Sequence, residues 1–238
     1  MGVDLLAFGP HPDDIEIGLG GIVALHAALG FTVGLCDLTQ GEMGSNGTID
    51  ERRKEAAAAA NVLGSTWREN LEWPDRRIGK DPAHLEQAVA FIRRHRPRVI
   101  AAPYWSDRHP DHVAASAVLS EAAFNSGLRR YPAEGDPWRP EWICYYFLNE
   151  SAPPSFVVDV SQTWKTKMRS VHAYQSQFHD PNSKEPQTFI SDPKFLEMID
   201  ARGRHFGALI GVHYGEAFVT KQPPRVDDLI GAYAGREV

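Results

Sequence analysis

The stretch VDLLAFGPHPDDIEIGLGGIVALHAALGFTVGLCDL, residues 3–38, decides the fold. Val3 to Phe8 is a short apolar run and reads as a strand. Ile15 to Leu29 reads as a helix with Gly30 as its stop, and Phe31 to Leu38 as a second strand. Strand, helix, strand within so few residues implies two parallel strands joined by a right-handed crossover. Between the first strand and the helix stands a stiff polar insert, Gly9-Pro10-His11-Pro12-Asp13-Asp14.

The same rhythm continues outward. Thr48-Ile49-Asp50-Glu51 is a capping box, in which hydroxyl and carboxylate satisfy amides reciprocally. The alanine-rich run Glu55 to Leu63 follows, and Gly64 ends it. Asp81-Pro82 opens a helix to about His95, and Arg98 to Ala102 is a strand. The expected fold is α/β: a Rossmann-like three-layer α/β/α sandwich with a mostly parallel sheet. Beyond residue 125 the rhythm weakens. Tyr131 to Pro140 reads as a loop, and Trp142–Leu148 and Ser155–Val160 as strands. Ser161 is expected to cap a helix to about Gln175, and the polar stretch Gln177–Ser191 to form a flap. Asp192-Pro193 opens a last helix to about Ile210. With no repeat and no linker, a single domain over residues 1–238 is expected.

Composition excludes several classes. Hydrophobic residues make up 42% and charged residues 24%, as in an ordinary globular chain rather than a disordered or fibrous one. The formal charge of −6 gives no general attraction to nucleic acid or an anionic membrane. No run approaches the roughly 18 apolar residues of a membrane span. The opening residues lack a basic, long apolar leader, so the expected compartment is the cytoplasm. Cys36 and Cys144 read as buried thiols, and with no CxxC pair a cysteine zinc site is excluded.

Ligands on open α/β sheets sit beyond the carboxyl ends of strands. The first insert lies there, and so does Ser106-Asp107-Arg108-His109-Pro110-Asp111-His112. Either alone has a plain reading, as a turn or a helix cap. Two at two strand ends argue for a metal. His11, Asp14 and His112 form a three-ligand set suited to zinc, and equally to iron(II) or another divalent ion. Asp13 is then a spare carboxylate able to take a proton from water, and His109 can protonate a leaving amine or face an oxyanion. The rival is a dinucleotide site at Gly18-Leu19-Gly20-Gly21. Val23 stands where the fingerprint needs its last glycine, so close helix–sheet packing explains these glycines better. Neither a Walker A sequence nor a Gly-x-Ser-x-Gly elbow is present.

Pro10-His11-Pro12-Asp13-Asp14 and His109-Pro110-Asp111-His112 together resemble the PIG-L/LmbE family of zinc-dependent N-acetylglucosaminyl deacetylases. The resemblance implies zinc on His11, Asp14 and His112, Asp13 as base, a catalytic role for His109, and Asp111 as the group that orients or charge-balances His109. Cys36-Asp37-Leu38-Thr39, Ser45-Asn46-Gly47-Thr48, Arg52-Arg53-Lys54-Glu55-Ala56 and Trp73-Pro74-Asp75-Arg76 are similar to the bacillithiol-pathway branch, which deacetylates N-acetylglucosaminyl malate. That likeness implies a small-molecule amino-sugar substrate and a homo-oligomer, with hexamers among relatives. It also implies a malate contact from Arg52, which matches that branch's substrate-binding position, and an approach of His213 from the C-terminal side. Arg108, beside the second motif, is a second candidate cation for the malate. Glu42, Ser45 and Asn46, in the loop after the second strand, read as sugar contacts or as an ordinary polar turn. The competing expectations are deacetylation of an inositol or chitooligosaccharide conjugate, and a non-catalytic metal- or sugar-binding module.

Overall fold

The computed structural model describes residues 2–178 and 186–228. Seven strands form one sheet in the order β3-β2-β1-β4-β5-β7-β6. These are β1 (Leu5–Gly9), β2 (Val33–Thr39), β3 (Trp67–Trp73), β4 (Val99–Pro103), β5 (Trp142–Tyr146), β6 (Phe156–Asp159) and β7 (Gly215–Val219). The first five run parallel, and β7 is antiparallel to both β5 and β6. The helices are α1 (Asp14–Ala28), α2 (Ile49–Leu63), α3 (Pro82–His95), α4 (Pro110–Asn125), α5 (Trp164–Val171) and α6 (Pro193–Ile210).

Alternation along β1 divides the core. Leu5 and Ala7 face α1, α2 and α5, while Leu6 and Phe8 face α3 and α4. Both faces are covered, which explains why the strand reads as a continuous apolar run. The three-layer expectation therefore holds. The chain winds from β1 outward to β3, then crosses back to lay β4 on the other side of β1. That reversal opens a crevice at the carboxyl ends of β1 and β4. The two histidine-bearing inserts follow those two strands.

Local signals act as expected at most helix starts. Thr48 Oγ1 accepts from the Glu51 amide at 3.2 Å, and Glu51 Oε2 accepts from the Thr48 amide at 2.8 Å. Thr48→Ala is expected to lower stability by about 1 kcal/mol, read as a shifted urea midpoint at constant slope. Asp81 and Asp192 accept from Ala83 and Lys194 amides and open α3 and α6. Ser161 does not act as expected. Its amide and hydroxyl both donate to Asp159 Oδ1, and α5 begins after Thr163 and ends at Val171. Thr163 leaves that helix uncapped because its hydroxyl donates to the Gly21 carbonyl, at 2.8 Å. Of the expected flap, Gln177, Thr188, Phe189 and Ile190 line the site, while residues 179–185 lie outside the described residues. The glycines of α1 do serve packing: a Cβ on Gly18 would lie 2.2 Å from the Tyr146 ring.

Candidate active site

Pro10 and Pro12 carry the chain from β1 over the sheet edge, and Asp13 ends the turn with φ 119° and ψ −28°. A non-glycine residue there costs on the order of 1–3 kcal/mol and needs outside support. Asp13 has it. Its carbonyl accepts from the Ile17 amide at 3.0 Å, and its Oδ2 accepts from Arg52 Nη2 at 3.0 Å. The result directs Asp13 and Asp14 into one cleft at the head of α1. Across the crevice His109 caps α4, which places His112 on that helix's first turn.

Two imidazoles converge on one carboxylate oxygen. His11 Nδ1 lies 3.1 Å and His112 Nε2 3.4 Å from Asp14 Oδ2. The far nitrogen of each ring also faces a carboxylate. His11 Nε2 lies 3.2 Å from Asp75 Oδ1 and 3.4 Å from Asp111 Oδ2, and His112 Nδ1 lies 3.1 Å from Asp107 Oδ1. Histidines that hold a metal are backed in this way, since the second carboxylate fixes the ring and raises its basicity. His11, Asp14 and His112 thus fit a divalent ion. His109 also has a nitrogen within 4.8 Å of nitrogens on His11 and His112, so it faces the same point, and His11, Asp75 and Asp111 form a second such group.

The electrostatics agree with a site for positive charge. Burial disfavours the charged form of His112, but Asp14 and Asp107 outweigh it and carry its pKa up to about 9. His11 is likewise held well above its ordinary value: burial opposes the shift, and Asp111, Asp14 and Asp75 overcome it. Asp14 goes the other way. Burial raises it, yet His112 and His11 hold it well below the usual carboxylate range. Asp13 differs from its neighbour. Burial pushes its carboxyl up to about 7, against the pull of Arg52 and with the help of Asp14. His109 is pushed down to about 4 by burial and by the charges of His112 and His11. Its Nδ1 accepts from the Asp111 amide at 3.3 Å, which leaves the proton of the neutral ring on Nε2.

The cleft has a volume of about 280 Å³, near the lower end for small-molecule sites. His11, Asp13, Asp14, His109 and His112 line its floor. Ser45 and Arg108 line its walls, together with Met43, Asn149, Gln177 and Phe189. The Arg108 guanidinium lies 3.7 Å from the centre of the Phe189 ring.

Other candidates stand differently. Arg52 borders the cleft but is buried, its guanidinium turned inward to Asp13, the Gly41 carbonyl and the Pro12 carbonyl. Glu42 lies outside the lining and accepts from the Asp75 amide at 2.7 Å. Asn46 is buried beside it and donates to the Pro186 carbonyl. His213 is exposed on the turn before β7 and does not reach the cleft. The charge of Asp111 favours the protonated form of the His109 ring, as expected of a charge-balancing group, but its carboxylate makes no hydrogen bond to that ring. The Asp111 carboxylate turns to His11 and accepts from the Arg76 amide at 2.9 Å; what it offers His109 is its backbone N–H.

Two residues have a role that their motifs alone do not announce. Asp107 backs His112 and also accepts from the His109 and Asn149 amides, at 2.8 and 2.9 Å. Asp75 backs His11 and accepts from the Met43 amide at 3.1 Å. Each follows a strand and sits near the sheet's carboxyl edge, which is the signal that could have found it. Asn149 follows β5 and shares that signal, while Gln177 and Phe189 lie in the stretch expected to form a flap, with nothing to mark them individually.

Comparison with known proteins bears on this geometry. The chain is 41% identical to the conserved protein TT1542 of Thermus thermophilus, whose crystal structure superposes with a TM-score of 0.87 over 95% of this chain and 98% of that one. It is 29% identical to a diacetylchitobiose deacetylase of Thermococcus kodakarensis, over 73% of this chain and 70% of that protein. It is 31% identical to a 1D-myo-inositol 2-acetamido-2-deoxy-alpha-D-glucopyranoside deacetylase of Rhodococcus erythropolis, where the match spans 56% of this chain and 57% of the enzyme. No helix among the described residues is long and apolar enough to cross a membrane. The family pattern described as PIG-L, GlcNAc-PI de-N-acetylase, matches residues 6–123, the span that carries every residue of the cleft floor. Residues 6–123 of this chain thus carry the PIG-L family's pattern.

Proposed function

We propose that the protein hydrolyses the acetamide of an N-acetylglucosaminyl conjugate, releasing acetate and the free amine. The observation that carries this reading is the meeting of His11 Nδ1 and His112 Nε2 on Asp14 Oδ2, with a second buried carboxylate, Asp13, left over beside them. A binding module has no need of that spare base. A divalent ion on His11, Asp14 and His112, zinc or another that takes imidazole and carboxylate, would polarise the acetamide and acidify water. Asp13 accepts the proton of the attacking water; its carboxyl, lifted by burial to about 7, suits that task at neutral pH. Arg52 keeps Asp13 aimed. His109 presents Nε2–H to the charge that develops on the carbonyl oxygen.

The names of the relatives favour a chitooligosaccharide or inositol conjugate over the malate one. A narrower reading, the malate conjugate in bacillithiol synthesis, draws support from the exposed Arg108 guanidinium in the cleft wall, for which no carboxylate contact stands among the described residues. Acetate release should be measured with diacetylchitobiose and with the inositol and malate conjugates of N-acetylglucosamine. Chelator treatment is expected to lower turnover at least about 100-fold, and added zinc to restore it. Full turnover in the metal-stripped protein would refute the metal-dependent mechanism. Acetate from none of the conjugates, with zinc bound, would refute the substrate class.

A further inference from the structure

Gly18-Leu19-Gly20-Gly21 has no part in the chemistry, yet α1 breaks there. Leu19 has φ −146° and ψ 24°, outside the helical range. In an unbroken helix the Gly21 amide would donate to the Ile17 carbonyl. Side chains from far along the chain take both groups instead. Gly21 N donates to Glu216 Oε1 at 3.0 Å and Ile22 N to Glu216 Oε2 at 2.7 Å. The Ile17 carbonyl accepts from Lys167 Nζ at 2.9 Å and Arg202 Nη2 at 3.0 Å. Lys167 Nζ also donates to Glu216 Oε1 at 2.5 Å, which closes the ring. The glycines admit these groups: a Cβ on Gly20 would lie 3.1 Å from Lys167 Cγ, and one on Gly21 3.1 Å from Glu216 Oε1.

We propose that Glu216, Lys167 and Arg202 are positioning residues for the metal site. Their clamp sets the first turn of α1 at a fixed angle to the rest of the helix, and so places Asp13 and Asp14. The connection is one turn long. The Ile17 amide donates to the Asp13 carbonyl at 3.0 Å, and the carbonyl of the same residue is the one gripped by Lys167 and Arg202. Arg202 donates in addition to the Leu148 carbonyl, so it ties together two residues that line the cleft, Ile17 and Leu148. Asp13 cannot hold φ 119° unaided, and the clamp is the rigid end of its support. A buried Lys–Glu pair is a weak source of stability in itself. Its use here is to hold backbone groups that a straight helix would have paired.

This inference rests on the metal-dependent reading above, and its test therefore reads more than turnover. Glu216→Gln, Lys167→Met and Arg202→Gln should be prepared as full chains beside the parent. Competition with a chelator is expected to show the Zn²⁺ dissociation constant raised about 10- to 100-fold in each. Amide exchange over Ile15–Ile17 is expected to accelerate, and kcat to fall at least about tenfold while KM stays within about twofold. Variants that lose thermal stability but keep the parent's zinc affinity and first-turn exchange would overturn the proposal. If the parent releases no acetate, the function falls while zinc affinity and exchange still decide the clamp. Should Lys167→Met fail to fold, half-buried Arg202→Gln carries the same comparison.

Discussion

Asp13→Asn is expected to bind a full equivalent of zinc and to lose about 10²–10⁴-fold in kcat. The substitution is chosen to remove the carboxylate's charge and little else. Asparagine keeps the volume of aspartate and an oxygen for Arg52 Nη2, and it tolerates positive φ better than most residues. His11, Asp14 and His112 keep their mutual contacts and their backing carboxylates. The ability to take a proton from water is gone, and with it the countercharge of Arg52, whose hydrogen bond the amide oxygen keeps. Asp13→Ala would be a poorer test, because it strands a buried guanidinium. Metal analysis of the purified variant beside its steady-state kinetics checks the expectation. A variant within about threefold of the parent would remove Asp13 from the role of base and return it to backbone support.

The second large effect concerns stability. Arg68→Met is expected to cost about 3–5 kcal/mol in denaturant unfolding. Arg68 makes a two-pronged pair with Asp37, both contacts at 2.7 Å, and donates to Glu16 Oε1 at 2.5 Å. All three side chains are buried, so deletion of the cation leaves two carboxylates facing each other without water. The pH dependence has a definite sign. Burial already raises the Glu16 carboxyl, and Arg68 works against that shift. In the variant the shift grows, and the folded state holds a proton that the unfolded chain gives up. The deficit is therefore smallest in acid and widens as pH rises through the ordinary value of 4.5 and above. Glu16→Gln added to Arg68→Met should recover part of the loss. A single-variant cost under about 1 kcal/mol would mean that the interior relaxes or admits water around Glu16 and Asp37.

The legible part of this chain is its first 125 residues, apart from β3 (Trp67–Trp73), which the strand–helix rhythm implies but no residue pattern marks. There each strand is followed by its own helix, and punctuation such as Thr48, Gly64 and Asp81-Pro82 acts within one turn of itself. The two motif inserts are readable for the same reason: each follows a strand directly, and the sheet's reversal beside β1 brings them together. What escapes is long-range. The sequence reading gives no strand for the segment that forms β7, because its partners β5 and β6 lie some 60–70 residues earlier and nothing local announces an antiparallel insertion. Ser161 misleads because its hydroxyl has a nearer acceptor in Asp159. Asp111 reads as the partner of the histidine beside it in sequence, whereas the helix turn carries its carboxylate to His11 across the crevice.

The position of β7 also orders events in time. The Gly21 amide and Glu216 meet across 195 residues, and among the described residues β6 pairs with no strand but β7. A ribosome has released both histidine motifs long before it supplies residue 216. Until then β6 has no neighbour, and the break in α1 leaves the Gly21 and Ile22 amides unmatched. A nascent or truncated chain thus carries every cleft-floor side chain without the frame that sets two of them. If the clamp acts as proposed, metal capture by such a chain is expected to be looser than by one that has reached β7.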